Sequence, residues 1–192
     1  MNNMQPWFAL QTKPRSERKI ASLLEQKGYQ CFMPTYRQKR RWSDRTVEIE
    51  LPLFSMYVFC HLSPSALGKV VSTSGVVKIV GFGGRPAEVD LEEIMALQLL
   101  ARSDCLREPW RFLPDGTMVR VETGPLTGVH GAICQDEEKR RLIISVTLLQ
   151  RSVAVQLDKD TVVSVVSGLE RNRTGLSAES DMAVSLLSRT RL

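Results

Sequence analysis

The stretch Pro52-Leu53-Phe54-Ser55-Met56-Tyr57-Val58-Phe59-Cys60 decides how this chain folds. Side chains alternate across a strand, so Tyr57 and Phe59 point to one face while Met56, Val58 and Cys60 point to the other. Both faces are apolar. Such a strand is either central and covered on both sides, or it offers one face as a binding surface. Just upstream, residues 46–51 (Thr-Val-Glu-Ile-Glu-Leu) alternate with period two, and residues 30–36 have strand character. Between them, residues 37–45 read as the cationic tip of a hairpin.

Working outward, residues 7–12 are short, apolar and aromatic, a first strand that stops before Lys13-Pro14. A helix is expected next, with Pro14 near its start, Ile20, Leu23 and Leu24 at helical spacing, and Gly28 where a C-terminal cap belongs. At 100° per residue Arg15, Arg18 and Lys19 fall opposite that apolar side. Downstream, residues 65–72 suggest a short helix and residues 75–82 a β-branched strand that closes at Gly83-Gly84. A second clear helix follows over residues 90–102, where Asp90 and Glu93 have capping-box spacing. This order predicts an α+β fold, an N-terminal α/β sandwich of helices on an antiparallel sheet across residues 1–102. Residues 103–113 break the pattern and read as a linker. Five short strands crowd residues 114–167, which predicts a small SH3-like β-barrel. Residues 168–192 hold no aromatic side chain and are expected to form a disordered tail.

The 192 residues carry 26 Lys plus Arg against 21 Asp plus Glu, a net charge of +5. That excess is local: residues 1–46 hold ten basic and three acidic side chains, a surplus of +7, so the remainder is weakly acidic. No apolar run approaches the ~20 residues of a membrane span, and the N-terminus lacks the pattern of a signal peptide, so a cytoplasmic protein is expected. The four cysteines contain no C-x-x-C pair and only two histidines accompany them, which makes buried free thiols the expectation over a zinc site. No nucleophile elbow, H-E-x-x-H or P-loop occurs. The expectation is a protein without enzymatic activity, metal or cofactor.

Three groups of residues, in order, resemble the NusG family of transcription elongation factors, in particular its specialised RfaH-like and capsule-operon antiterminators. Trp7-Phe8-Ala9-Leu10 with Lys13-Pro14-Arg15 and Glu17 looks like the opening of the family's N-terminal domain. Residues 52–59 match its P-L-F-P-G-Y-V-F signature, with Ser55-Met56 in place of Pro-Gly. Gly116-Thr117-Met118-Val119-Arg120-Val121 with Gly124-Pro125-Leu126-Thr127-Gly128 is similar to a KOW motif.

The resemblance implies a monomeric factor that grips the clamp helices of RNA polymerase's largest subunit through Trp7, Phe54, Tyr57, Phe59 and Phe82. It implies contacts with the non-template DNA strand through Lys13, Arg15, Arg18, Lys19, Arg40 and Arg41, with Trp42 as a stacking ring. The KOW loop, Pro125, Leu126 and Val129, would meet a further partner such as a small-subunit ribosomal protein. Leu126 and Val129 stand where aromatic residues are usual, which weakens Rho binding and suits suppression of pausing or termination at particular operons. Ala66-Leu67-Gly68-Lys69 lacks the His-Thr-Thr element that touches the polymerase gate loop. Each group also has a plainer reading, as core aromatics, solvated helix face or turn glycines. The rival function is a KOW-containing RNA-binding protein of ribosome assembly or translation.

Overall fold

The computed structural model describes residues 5–42, 44–113, 116–135 and 139–166; the expected tail lies outside them. The N-terminal part is built on one antiparallel sheet. Strand β1 (Trp7–Thr12) is followed by helix α1 (Glu17–Gln26), β2 (Gln30–Phe32), β3 (Thr35–Arg41), β4 (Thr46–Pro52) and β5 (Tyr57–His61). Then come α2 (Leu67–Val71), β6 (Val76–Ile79), the short pair β7 (Gly81–Phe82) and β8 (Arg85–Pro86), β9 (Glu88–Val89) and α3 (Leu91–Arg102). The sheet runs β2-β5-β1-β6, with β9 also on β1.

Strand β5 therefore lies inside the sheet, and both its faces are covered. Phe8, Leu10, Val70, Ile79 and Cys60 pack with Ile20 and Leu24 of α1 on one side. Trp7, Ala9 and Phe59 pack on the other with Ile94, Leu97 and Leu100 of α3. Of the two readings open for this strand, the covered one holds.

Several boundaries differ from expectation, each for a local reason. Helix α1 begins at Glu17, not near Pro14, because Arg15 adopts a left-handed φ of 59° that no helix accommodates. The hairpin is longer than its expected cationic tip: β3 reaches Arg41 and pairs with β4 from Thr35↔Pro52 to Arg41↔Thr46. It forms a separate two-stranded ribbon. At α3 the Asp90 carboxylate accepts the Glu92 N–H at 2.7 Å, a helix cap. The Glu93 carboxylate accepts the Thr147 N–H, at 3.0 and 3.2 Å.

The C-terminal part is β-rich: β10 (Arg107–Arg111), β11 (Thr117–Val121), β12 (His130–Gln135), β13 (Arg140–Val146), β14 (Arg151–Gln156) and β15 (Val163–Val165). They form one antiparallel sheet in the order β10-β14-β13-β12-β11-β15. The chain thus has the mixed α+β architecture expected, with antiparallel sheets in both parts. Strand β10 lies within the stretch expected as a linker. It sits at the sheet edge, which lets it carry Pro109, a residue with no N–H to donate.

One apolar cluster joins both parts. Phe54, Phe59, Leu97 and Leu100 share it with Leu126, Leu142, Val146 and Val153. Polar ties flank this cluster. Arg107 of β10 donates through Nε to the Thr35 carbonyl at 2.8 Å, and through Nη1 to the Leu100 and Ser103 carbonyls at 2.8 and 3.0 Å. Burial pushes its guanidinium below the ordinary arginine value.

Candidate nucleic-acid and protein interface

The loop entering β5 organises the site. Met56 adopts φ of 70°, a left-handed conformation that strains a residue with a Cβ. Three hydrogen bonds hold it there. The Met56 N–H donates to Glu17 Oε1 at 2.7 Å, its carbonyl accepts the Thr12 N–H at 2.8 Å, and the Tyr57 N–H donates to the Phe54 carbonyl at 3.1 Å. Glu17 is buried at the first turn of α1, where a carboxylate is favoured by the helix dipole.

The next residue, Arg18, turns outward and its Nη2 meets Glu50 Oε2 at 2.8 Å. Glu50 also accepts the Thr35 hydroxyl at 2.6 Å. These two donors, the Thr35 hydroxyl first, hold the Glu50 carboxyl below its ordinary value. Tyr57, Met56, Glu17, Arg18, Glu50 and the ribbon are thereby linked in one chain of bonds.

The cationic residues are exposed as expected. Lys13 and Arg15 lie in the turn before α1, Arg18 and Lys19 on its outer side, and Arg40 and Arg41 near the ribbon's end. On one ribbon face Arg37 and Lys39 stand opposite Glu50 and Glu48. At the tip the Arg45 guanidinium lies 5.8 Å from the centre of the exposed Trp42 ring. Among the described residues Arg18 is the member of the set that meets a carboxylate, and Lys13, Arg15, Lys19, Arg40 and Arg41 carry the rest of the cationic surface.

The expected aromatic surface needs correction. Trp7, Phe54 and Phe59 are core side chains, Phe59 with 0% exposure, because α3 and the C-terminal β-strands cover the face on which they lie. Phe54 and Phe59 meet edge to face at 5.5 Å between centroids, a packing contact. Tyr57 is half-buried, and the Arg151 guanidinium of β14 lies over its ring at 5.0 Å. The same Arg151 donates to the Ser55 carbonyl at 3.1 Å. Phe82 stands apart at 72% exposure, lifted on the β7–β8 turn in which Gly83 and Gly84 both have positive φ.

Of the three KOW-loop residues expected to meet a partner, Pro125 is exposed. Leu126 and Val129 are buried in the shared core, so they are corrected from partner contacts to packing residues. Beside Pro125 a shallow cleft is lined by Asp104, Cys105, Leu106, Gln156 and Asp158. Arg107 and Arg151 were not singled out from the sequence, and Glu93 was read only as a helix-capping residue. Their partners lie far away in the chain, and no local spacing signals them.

Fold and site together define a two-part α+β protein whose distinctive features are surfaces: a cationic ribbon and helix edge, and a tyrosine beneath an arginine of β14. Residues 5–98 match the family model described as "Transcription termination factor nusG", and it is over this N-terminal half that the chain is of NusG type. It is similar to the transcription termination/antitermination protein NusG of Escherichia coli K12, Salmonella typhi and Shigella flexneri, each 37% identical over 90 residues covering 43% of this chain and 49% of the relative. The chain spans about half the length of these relatives. Among solved structures, one titled "Domain interaction in Thermotoga maritima NusG" aligns with a TM-score of 0.47 and 21% identity over 79% of this chain and 92% of that one. A structure of an MjSpt4:Spt5 complex aligns with a TM-score of 0.30 and 17% identity over 84% of this chain and 98% of that one. No helix among the described residues is long and apolar enough to cross a membrane.

Proposed function

We propose that this chain is a transcription elongation and antitermination factor that binds RNA polymerase through the loop carrying Tyr57 and the non-template DNA strand through its cationic helix edge and ribbon. The observation that carries this reading is the bonded chain from Tyr57 through Glu17 and Arg18 to the ribbon, which fixes an aromatic contact and a cationic surface relative to one another. A factor of this kind acts by binding the elongating polymerase more tightly than the paused one; equal affinity for both would shift nothing. Phosphate contacts from Lys13, Arg15 and Lys19 supply salt-dependent affinity, and Trp42 with the ribbon arginines can stack on or bond to unpaired bases.

The Arg151 contact gives this function a condition. While Arg151 covers Tyr57, only the fraction of molecules with β14 displaced can offer the ring, and apparent affinity falls by that fraction. Once displaced, the β-rich part is free to tether a second partner through the exposed Pro125 region at high effective concentration. We assign residues 1–102 to an N-terminal domain and residues 114–167 to a KOW domain, with β10 of the intervening stretch 103–113 paired onto the latter, and operon-specific antitermination to the whole.

The test is crosslinking to a transcription bubble with photoreactive non-template DNA. The pair Arg15→Glu and Lys19→Glu avoids Arg18, which the ribbon needs for its own position. Crosslinking is expected to fall at least tenfold, with polymerase capture largely retained. Equal loss of both, in folded protein, would make this face structural.

A further inference from the structure

We propose that Cys31 and Cys60 form a redox modification site, a reversible dithiol–disulfide pair that staples the edge strand β2 to β5. The two residues are direct partners across the antiparallel β2–β5 pairing, and their Sγ atoms stand 3.2 Å apart. Directly opposed residues on antiparallel strands have Cα separations of about 4.5–5.5 Å. A disulfide accepts about 4.4–6.8 Å. The backbone therefore already has the geometry of the oxidised form, and side-chain rotation alone closes the remaining gap.

The two sulfurs differ in access. Cys60 has 0% exposure and packs among Phe8, Leu10, Leu24 and Leu62, whereas Cys31 is half-buried at the sheet edge. Cys31 is thus the sulfur an oxidant reaches, and Cys60 the one that resolves. Cys105, in the connection between α3 and β10, and Cys134, on β12, are free thiols that do not enter the pair.

The oxidant is a low-molecular-weight disulfide. The Cys31 thiolate attacks one of its sulfurs, forming a mixed disulfide and releasing one small thiol. Cys60 then gives up its proton and attacks Cys31 Sγ, which forms the Cys31–Cys60 bond and releases the second small thiol. Two protein thiols are oxidised, one small disulfide is reduced, and the two cysteine protons end on the departing thiols. The Cys31 sulfur and burial push the Cys60 thiol up, which makes the second exchange the slower one.

The loop so closed contains the entire β3–β4 ribbon and the Ser55-Met56 turn. Oxidation fixes the root of the cationic ribbon and removes freedom from the unfolded chain. For a closed loop of about thirty residues the expected rise in Tm is about 10 °C.

The experiment uses the full chain, reduced and then incubated with excess oxidised glutathione. The remaining thiols are alkylated under denaturing conditions, and the tryptic peptides are weighed. Cleavage at Arg37, Arg41 and Arg45 separates the two cysteines unless they are bonded. The expected product is a Cys31–Cys60 linked peptide, a Tm raised by about 10 °C, and reversal of both by dithiothreitol. Cys31→Ser, a change at the half-buried position, abolishes the link and the Tm rise. Glutathione retained on Cys31, links involving Cys105 or Cys134, or full alkylation of Cys31 and Cys60 would each overturn the proposal.

Discussion

Replacing Glu17 by alanine removes the acceptor that holds Met56 in its left-handed conformation. The bond is short, 2.7 Å, its acceptor is charged, and the carboxylate is buried. Hydrogen bonds to charged groups contribute about 1.5–3 kcal/mol, and the freed N–H has partial access to water, so a loss of about 2 kcal/mol follows. The strain at Met56, whose φ of 70° costs about 1 kcal/mol, is present in the parent as well and adds nothing to this loss. In Tm the loss corresponds to about 4–8 °C for a chain of this size. Glu17→Gln keeps an acceptor oxygen without the charge and should lose about half as much. Urea unfolding of the three proteins, with an unchanged m value, measures the difference. Glu17→Ala within about 0.5 kcal/mol of the parent would refute the reasoning, since surface substitutions commonly stay within that range. Glu17→Gln as damaging as Glu17→Ala would do so equally, because the acceptor would then be irrelevant.

Other consequences of the same loop and ribbon are open to measurement. Met56→Gly and Met56→Ala both delete the side chain, but only glycine relaxes at positive φ; the glycine variant should be more stable than the alanine one by about 0.5–1 kcal/mol by denaturant unfolding. Equal stability would mean that the loop is unstrained. The Glu50 carboxyl has a depressed value in the folded chain, so the stability it contributes is complete above its unfolded value near 4.5 and is lost as pH falls through the lower folded one. Chemical shifts of the Glu50 carboxyl and of the Arg18 guanidinium should therefore change together below that pH, and independent titrations would dissolve the proposed tie between helix and ribbon.

Much of this architecture was legible in the sequence, and the exceptions have physical causes. The two apolar faces of residues 57–60 identified a strand that matters, yet nothing local tells whether a face is covered by α3 and distant strands or left bare. That is why Phe54 and Phe59 read equally well as contact rings and as core. Pro109 and the charges beside it hid β10, because an edge strand needs neither an apolar alternation on both faces nor an N–H at every position. Leu126 and Val129 were placed in a loop correctly, but their apolar character turns them inward where aromatic residues were expected to face a partner. The departure Ser55-Met56 was visible in the sequence, and its meaning, a left-handed residue held by Glu17, required the backbone. Glu93, Arg107 and Arg151 bind partners 54, 72 and 96 residues away, distances at which spacing rules carry no information.

The account rests on Tyr57 being offered to RNA polymerase when Arg151 releases it. Capture of bacterial RNA polymerase by the purified full chain tests this most directly, with Arg151→Ala and Tyr57→Ala compared against the parent after each is shown to be folded. Removing the cover should increase capture, and removing the ring should reduce it at least tenfold. Undiminished capture by Tyr57→Ala, or recovery of ribosomal RNA with no polymerase, would contradict the account.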